Sequence, residues 1–158
     1  MAKRSGSDSS VQRNIESYIF EKICEQWEDF TLKSNVKLPL DDDCKTYICP
    51  DFFSEENHII GEIHTHIGRL KSSQADKIAG DVLKMILFEK LSGTSYRKYI
   101  VVCDETEMEQ LKGDSFLAKA IREYDIEIVY IGLPDDLLES LKKTVKKQNV
   151  MNDSSDTL

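Results

Sequence analysis

Three ionisable side chains alternate along one predicted strand near the middle of the chain. Glu62, His64 and His66 are separated by single residues, and isoleucines surround them. Because successive side chains of a strand point to opposite faces, the carboxylate and the two imidazoles should share one face. A group of this kind can transfer protons or bind a metal ion, whereas on a solvent-exposed strand it would only be solvated. We therefore predict the active centre on this strand, provided that helices cover it.

A second carboxylate is predicted to lie beside Glu62. Asp51 follows the preceding predicted strand, with ten residues between it and Glu62, so a hairpin would bring the two acids together. Two carboxylates on adjacent strands can bind a hard divalent cation. Such a cation polarises a phosphate and lowers the pKa of a bound water molecule.

The spacing of apolar residues predicts the elements that position these groups. Helices are predicted at 11–30, 73–91, 106–124 (interrupted near Gly113) and 134–148. Strands are predicted at 36–40, 45–49, 58–67, 99–103 and 126–131, with a turn at 53–57. The first three strands are predicted to form an antiparallel meander. The later β-α-β pattern calls for parallel strands and a right-handed crossover. The fold class is therefore α/β, a mixed β-sheet of about five strands flanked by helices on both faces, in the order αβββαβαβα.

Length and composition indicate one globular domain. Residues 11–150 are predicted to form it, and the small polar residues of 1–10 and 151–158 are predicted to be disordered tails. No apolar run is long enough to cross a bilayer, the N-terminal residues lack the apolar core of a secretory signal, and the four cysteines form no CxxC pair. These features predict reduced thiols, a cytoplasmic location and no membrane partner. No small-molecule cofactor is predicted. The net charge of −8 argues against a broad phosphate-binding surface and leaves room only for a local basic groove.

The residues Pro50-Asp51, followed by Glu62-Ile63-His64, resemble the signature of the PD-(D/E)XK nuclease superfamily. The predicted order of helix, three strands, helix and strand matches the core of that family. The stretch GEIHTHIGRLKSSQADKIAGDVLKM, followed by YIVVCDE, resembles its restriction-endonuclease-like branch. The resemblance covers residues 11–131 and implies a metal-dependent endonuclease that hydrolyses phosphodiester bonds of DNA.

The resemblance also implies roles for single residues. Asp51 and Glu62 would hold Mg²⁺, for which Mn²⁺ can substitute, with the carbonyl of Ile63 as a further ligand. Glu16, on the first predicted helix, matches an acidic residue that some members add to the site. Gln74, at the start of the second predicted helix, matches a polar position that often faces it. Both of these residues are equally consistent with ordinary solvent-facing positions on a helix.

One position departs from the family pattern, because His64 stands where the family has a lysine. A neutral imidazole can accept a proton from water, so His64 is a candidate base. It does not carry the permanent positive charge of a lysine. Lys77, one turn after Gln74 on the same predicted helix, is a candidate for that charge, and Lys71 is another. Small nucleases of this kind often act as homodimers to cut both strands, so a homodimer is expected.

A rival resemblance rests on the letters HTH at 64–66 and SQAD at 73–76, which are similar to the JAMM metalloprotease pattern. It implies a zinc ion bound by His64, His66 and Asp76. Ile67 replaces the proline expected after the second histidine, and the gap to Ser73 is one residue short. A serine followed by an acid three residues later also resembles a helix capping box.

A third class of function is a catalytically inactive nuclease fold that only binds. The acidic net charge and the absent lysine both fit such a module. DNA binding by a local basic cleft would weaken steeply with salt, whereas an apolar protein interface would not.

Overall fold

A computed structural model describes the backbone of residues 6–155 and the side chains of residues 10–147. Residues 1–5 and 156–158, which belong to the two predicted tails, lie outside the described residues. None of the helices in the described range is long and apolar enough to cross a membrane.

The described residues form five helices and six strands. The helices are α1 (Gly6–Gln26), α2 (Ser72–Ser92), α3 (Glu105–Leu111), α4 (Phe116–Glu123) and α5 (Asp135–Ser155). The strands are β1 (Leu38–Pro39), β2 (Tyr47–Ile48), β3 (Phe52–Ser54), β4 (Ile59–His64), β5 (Arg97–Val102) and β6 (Ile126–Tyr130). The helix predicted at 106–124 is thus two helices, separated near Gly113 as expected.

The main sheet has four strands in the order β3-β4-β5-β6. Strand β3 runs antiparallel to β4, while β4, β5 and β6 are mutually parallel. Helix α2 connects β4 to β5, and helices α3 and α4 connect β5 to β6. The prediction of an α/β fold with a mixed sheet and flanking helices is confirmed, and the remaining two strands form a separate small sheet.

The predicted three-strand meander is wrong. Strands β1 and β2 pair only with each other, and the antiparallel partner of β4 is β3, in a segment predicted as a turn. Phe52 and Phe53 are both buried, with Phe52 in the core on the α1 side of the sheet and Phe53 in the core on the α2 side. A strand buried on both faces shows no alternation of apolar and polar residues. The pattern of residues 52–54 therefore did not predict a strand.

Both faces of the sheet are covered. On one face, α1 packs Ile15, Ile19 and Ile23 into a core that it shares with α5. On the other face, α2 packs Ile78 and Val82 into a second core, to which α3 and α4 contribute. The central strands are therefore enclosed, and a polar side chain on β4 must find a partner inside the protein.

Strands β3 and β4 pair closely because β4 contains a glycine. Phe52 lies opposite Gly61 in the antiparallel register, and its ring covers the glycine. A Cβ atom at Gly61 would overlap this ring, which is fully buried and has no space to move. The glycine thus sets the path of the strand that carries Glu62 and His64.

Candidate active site

The two polar residues of β4 are enclosed beneath α2. Glu62 is 6 % exposed and His64 is 5 % exposed, although β4 is otherwise apolar. Glu62 and His64 lie two and four residues after Ile60, so all three side chains point to the same face of the sheet. This is the face that packs against α2. The condition set by the sequence, that helices cover this face, is met. His66 lies two residues beyond the end of β4.

The structure brings Asp51 next to Glu62. The Oδ2 atom of Asp51 accepts a hydrogen bond of 2.7 Å from the backbone N–H of Ile63, which fixes the carboxylate beside β4. Burial raises the pKa of Glu62 to about 9, and the charges of Asp51 and Asp81 and a hydrogen bond with Asp51 act in the same direction. At neutral pH the carboxyl group of Glu62 therefore keeps its proton.

The second pair in the site joins β4 to α2. The Nε2 atom of His64 lies 3.0 Å from Oδ2 of Asp81, and Nζ of Lys84 lies 3.1 Å from the other oxygen, Oδ1. Burial alone would raise the pKa of Asp81, but hydrogen bonds with His64 and Lys84 and their charges outweigh it and lower that pKa. Partial burial would lower the pKa of Lys84, but the hydrogen bond to Asp81 and nearby carboxylates raise it. Asp81 is therefore an ionised carboxylate that lies between the imidazole of His64 and the ammonium group of Lys84.

Helix α1 contributes Glu16 to the edge of this group. Partial burial raises the pKa of Glu16, and the charge of Asp51 raises it further, while the charges of Lys77 and His64 lower it. Lys77 is exposed on α2. Gln74 is engaged elsewhere, because its Oε1 atom accepts a hydrogen bond of 2.8 Å from the backbone N–H of Lys71 at the start of α2. The pKa of Glu16 thus responds to charged groups of the site, whereas Gln74 caps the start of α2.

Sequence reasoning missed two residues that complete the site, Asp81 and Lys84. Gln74, Lys77, Asp81 and Lys84 follow one another at intervals of three, four and three residues, which places them along one side of a helix. This polar stripe is the pattern from which Asp81 and Lys84 could have been predicted. The adjacent stripe of apolar residues, from Ile78 onward, made the pattern hard to recognise, because Asp81 lies among residues that all face the core.

Asp51, Glu62 and the carbonyl of Ile63 are the groups that fit a divalent cation. Within the described residues, no three His, Cys, Asp or Glu side chains are arranged to hold a metal ion. Two carboxylates and one carbonyl supply only oxygen ligands, which suits Mg²⁺ because this ion keeps several of its water molecules. Burial and the neighbouring carboxylates disfavour a negative charge on Glu62, and a bound cation would offset both effects.

The zinc ligand set of the rival hypothesis is not assembled. His64 contacts Asp81, whereas Nδ1 of His66 lies 3.3 Å from Oε2 of Glu107 on α3. Asp76, the third predicted ligand, is exposed on α2. Each histidine therefore has its own carboxylate, supplied by a different helix, and the structure does not favour the JAMM-like reading.

Glu107 is a further buried acid that the sequence did not identify. It is fully buried, and neither of its carboxylate oxygens has a well-aligned hydrogen bond within the described residues. The thiol of Cys103 lies 3.7 Å from the carbonyl oxygen of His66. Burial, with the charges of Glu107 and Asp104, raises the pKa of Cys103 to about 12, so it remains a thiol. These contacts fasten the segment after β4 to α3.

Comparisons with family models, with curated proteins and with solved structures found no match for this chain.

Proposed function

We propose that this protein is a Mg²⁺-dependent nuclease that hydrolyses phosphodiester bonds of DNA. The observation that carries the proposal is the buried carboxyl group of Glu62, which lies beside Asp51 and two residues before a buried imidazole that contacts another carboxylate, Asp81. Burying ionisable groups is unfavourable unless they are paired or bind a cation. Their concentration on one covered strand is typical of active sites, where pKa values are shifted for chemistry.

The balance of charge in the site supports a bound cation. Four carboxyl groups, those of Glu16, Asp51, Glu62 and Asp81, lie in the site or at its edge, and the lysines that act on them are Lys77 and Lys84. A divalent ion held by Asp51, Glu62 and the carbonyl of Ile63 would offset this excess of acidic groups and displace the proton of Glu62. When bound, such an ion supplies Lewis-acid polarisation of a phosphate and a more acidic water molecule.

The chain's own residues divide the remaining tasks. The 3.0 Å contact of Asp81 with Nε2 of His64 would hold the ring, and Nδ1 would then be the atom that accepts a proton from the attacking water. Lys84 retains its charge at neutral pH and takes over the electrostatic role of the absent lysine. Glu16, with its raised pKa, is at the edge of the site and adjusts the charge around Asp51.

The proposal includes a cytoplasmic location and action as a homodimer. The four cysteines, at positions 24, 44, 49 and 103, are all free thiols, as expected in a reducing compartment. Because the net charge is −8, DNA contact must be local, and phosphate binding would depend on few cations. Two copies would supply one site for each strand of a duplex.

Calorimetric titration with Mg²⁺ and Mn²⁺, together with plasmid cleavage, tests the proposal. We expect weak metal binding and metal-dependent nicking by the wild-type protein. Both should be lost in Asp51→Asn, while His64→Ala should keep the metal and lose cleavage. His66→Ala is the matched control, since its ring contacts Glu107 instead, and it should retain metal binding. Tight zinc that is lost with His66 and insensitive to Asp51 would overturn the proposal in favour of the metalloprotease reading.

A second candidate, an inactive binding module, is favoured by one observation. Nε2 of His64, at the position of the family's lysine, is committed to Asp81 and is buried. DNA binding that falls with salt, without cleavage at any metal concentration, would identify such a module.

A further inference from the structure

Residues 65–71 connect β4 to α2 without regular secondary structure, and we call this segment the strap. It begins directly after His64, the buried imidazole of the candidate site. Every residue of the strap is half-buried or exposed, whereas all six residues of β4 are buried. Its two large apolar side chains, those of Ile67 and Leu70, are only partly buried at the borders of the two cores. Segments with few buried apolar contacts open locally at a lower free-energy cost than the core does.

Three contacts attach the strap to the neighbouring elements. The Nδ1 atom of His66 lies 3.3 Å from Oε2 of Glu107 on α3. The backbone N–H of Leu70 donates a hydrogen bond of 2.7 Å to Oε1 of Gln110, one turn further along the same helix. The thiol of Cys103, directly after β5, lies 3.7 Å from the carbonyl oxygen of His66. All three partners belong to the end of β5 and to α3, so the strap is attached to one region of the protein.

The contact of His66 with Glu107 is the most deeply buried of the three. Glu107 is fully buried, and within the described residues neither of its carboxylate oxygens has a well-aligned hydrogen bond. Asp104 lies nearby but is an acid too, and the charges of both acids act on Cys103. Taking a pair of ionisable groups out of water costs about as much as their mutual attraction returns. The intact pair therefore adds little net stability to the closed strap, whereas a closed strap with one of the two groups would bury that group unpaired.

We propose that the strap is a gate to the candidate site, which opens and closes with the contact of His66 and Glu107. In the closed form Glu62 is 6 % exposed and His64 is 5 % exposed, which is too little for a phosphodiester group to contact both side chains. Opening of the strap uncovers the end of β4, where His64 lies, and leaves the two cores in place. The identity of the admitted group as DNA rests on the proposed function, whereas the opening itself rests on the contacts of the strap.

The thiol of Cys103 reports the opening of the strap, because it is 4 % exposed and contacts the carbonyl of His66. Burial raises the pKa of this thiol to about 12, so it is unreactive while the strap is closed. With Cys24→Ala, Cys44→Ser and Cys49→Ser as the background, Cys103 is the single remaining thiol of the full chain. Its rate of labelling by N-ethylmaleimide, measured by mass spectrometry, then follows the fraction of open strap. Local opening exposes little surface, so this rate should depend only weakly on urea below the unfolding transition.

Variants of the buried pair test its role in this background. Without urea, His66→Leu and Glu107→Leu should each raise the labelling rate of Cys103 roughly tenfold, because each leaves one ionisable group buried without its partner. The double variant should label at about the background rate, since two apolar side chains can pack in place of the pair. Glu109→Leu, at an exposed position of the same helix, is the matched control and should leave the rate unchanged.

Chemical modification of His64 tests whether the opening reaches the candidate site. The chain has three histidines, so His58→Gln combined with His66→Leu leaves His64 as the single imidazole. Diethyl pyrocarbonate should modify His64 roughly tenfold faster in this chain than in the same chain with Glu107→Leu added, because the added leucine closes the strap again. Peptide mass spectrometry separates this modification from that of lysine side chains.

Labelling of Cys103 that follows the steep urea dependence of global unfolding in every chain would overturn the proposal. Equal labelling rates in His66→Leu and Glu109→Leu would overturn it as well, and so would modification of His64 that does not respond to Glu107→Leu. Both measurements are made without metal and without DNA, so a failed gate and a failed nuclease are distinguishable.

Discussion

Replacing Glu62 with glutamine should stabilise the protein, although it removes a carboxyl group from the candidate site. The pKa of Glu62 is raised from an ordinary value of 4.5 to about 9, with burial as the largest cause. Between these values the unfolded chain releases the proton that the folded protein retains. The unfolded state then binds fewer protons, so stability falls as pH rises from 4.5 toward 9. Glutamine has a similar shape and stays neutral at every pH, which removes this penalty.

The magnitude follows from the size of the shift. Each pH unit above 4.5 costs up to about 1.4 kcal/mol, which is about 3 kcal/mol by pH 7. Because the charges of Asp51 and Asp81 contribute to the raised pKa of Glu62 and respond to its replacement, we expect Glu62→Gln to gain somewhat less, about 2 kcal/mol at pH 7. The gain should increase toward pH 9 and vanish below pH 4.5.

Urea denaturation measured between pH 4 and pH 9, in the presence of a chelator, provides the assay. Trp27 reports unfolding because its ring packs 4.7 Å from that of Tyr99 in the core. Glu56→Gln, in the exposed turn between β3 and β4, is the matched control and should show no such trend. At pH 8, Mg²⁺ should stabilise the wild-type protein and leave Glu62→Gln unchanged. A variant less stable than wild type at pH 8, or a difference independent of pH, would refute the argument.

Three further predictions concern the contribution of buried contacts to stability. Asp81→Ala should reduce stability by about 3 kcal/mol in urea denaturation, because it leaves a buried imidazole without its carboxylate. His66→Leu and Glu107→Leu should each lower the stability of the protein. In a double-mutant cycle, the double variant should be more stable than the sum of the two single effects predicts, by about 1–3 kcal/mol. Additive effects would show that the two side chains do not interact. Gly61→Ala should lower stability by about 3 kcal/mol or more because its Cβ overlaps a core phenylalanine, whereas Gly80→Ala, with open space around it in α2, should raise the melting temperature slightly.

The local pattern of the sequence determined most of the elements. Ile15, Ile19 and Ile23 recur at intervals of four residues, which can bury one side of a helix, and α1 packs in that way. The apolar run of β5 indicated a strand covered on both faces, and the parallel pairing of β5 with β6 followed from the helices between them. Strand β6 was also expected to be buried, but it is the outer strand of the sheet, with Glu127 and Tyr130 exposed. The other inferences agree with the structure. These inferences succeeded because periodicity and connection length are properties of contiguous residues.

The partners of the functional side chains were decided by the tertiary structure alone. His64 and Asp81 are 17 positions apart and meet only because α2 crosses back over β4. His66 finds Glu107 on a helix that follows the next strand of the sheet. Residues 52–54 form strand β3 because Phe52 and Phe53 pack into the cores on opposite faces of the sheet. The sequence of β3 has no alternation of apolar and polar residues that would have predicted a strand. Burial then sets the chemistry: the same carboxyl group of Glu62 has a pKa near its ordinary value in water and about 9 inside the protein. The sequence thus determined which ionisable residues the chain carries near its central strands, and packing determined which of them face one another and in what state of charge.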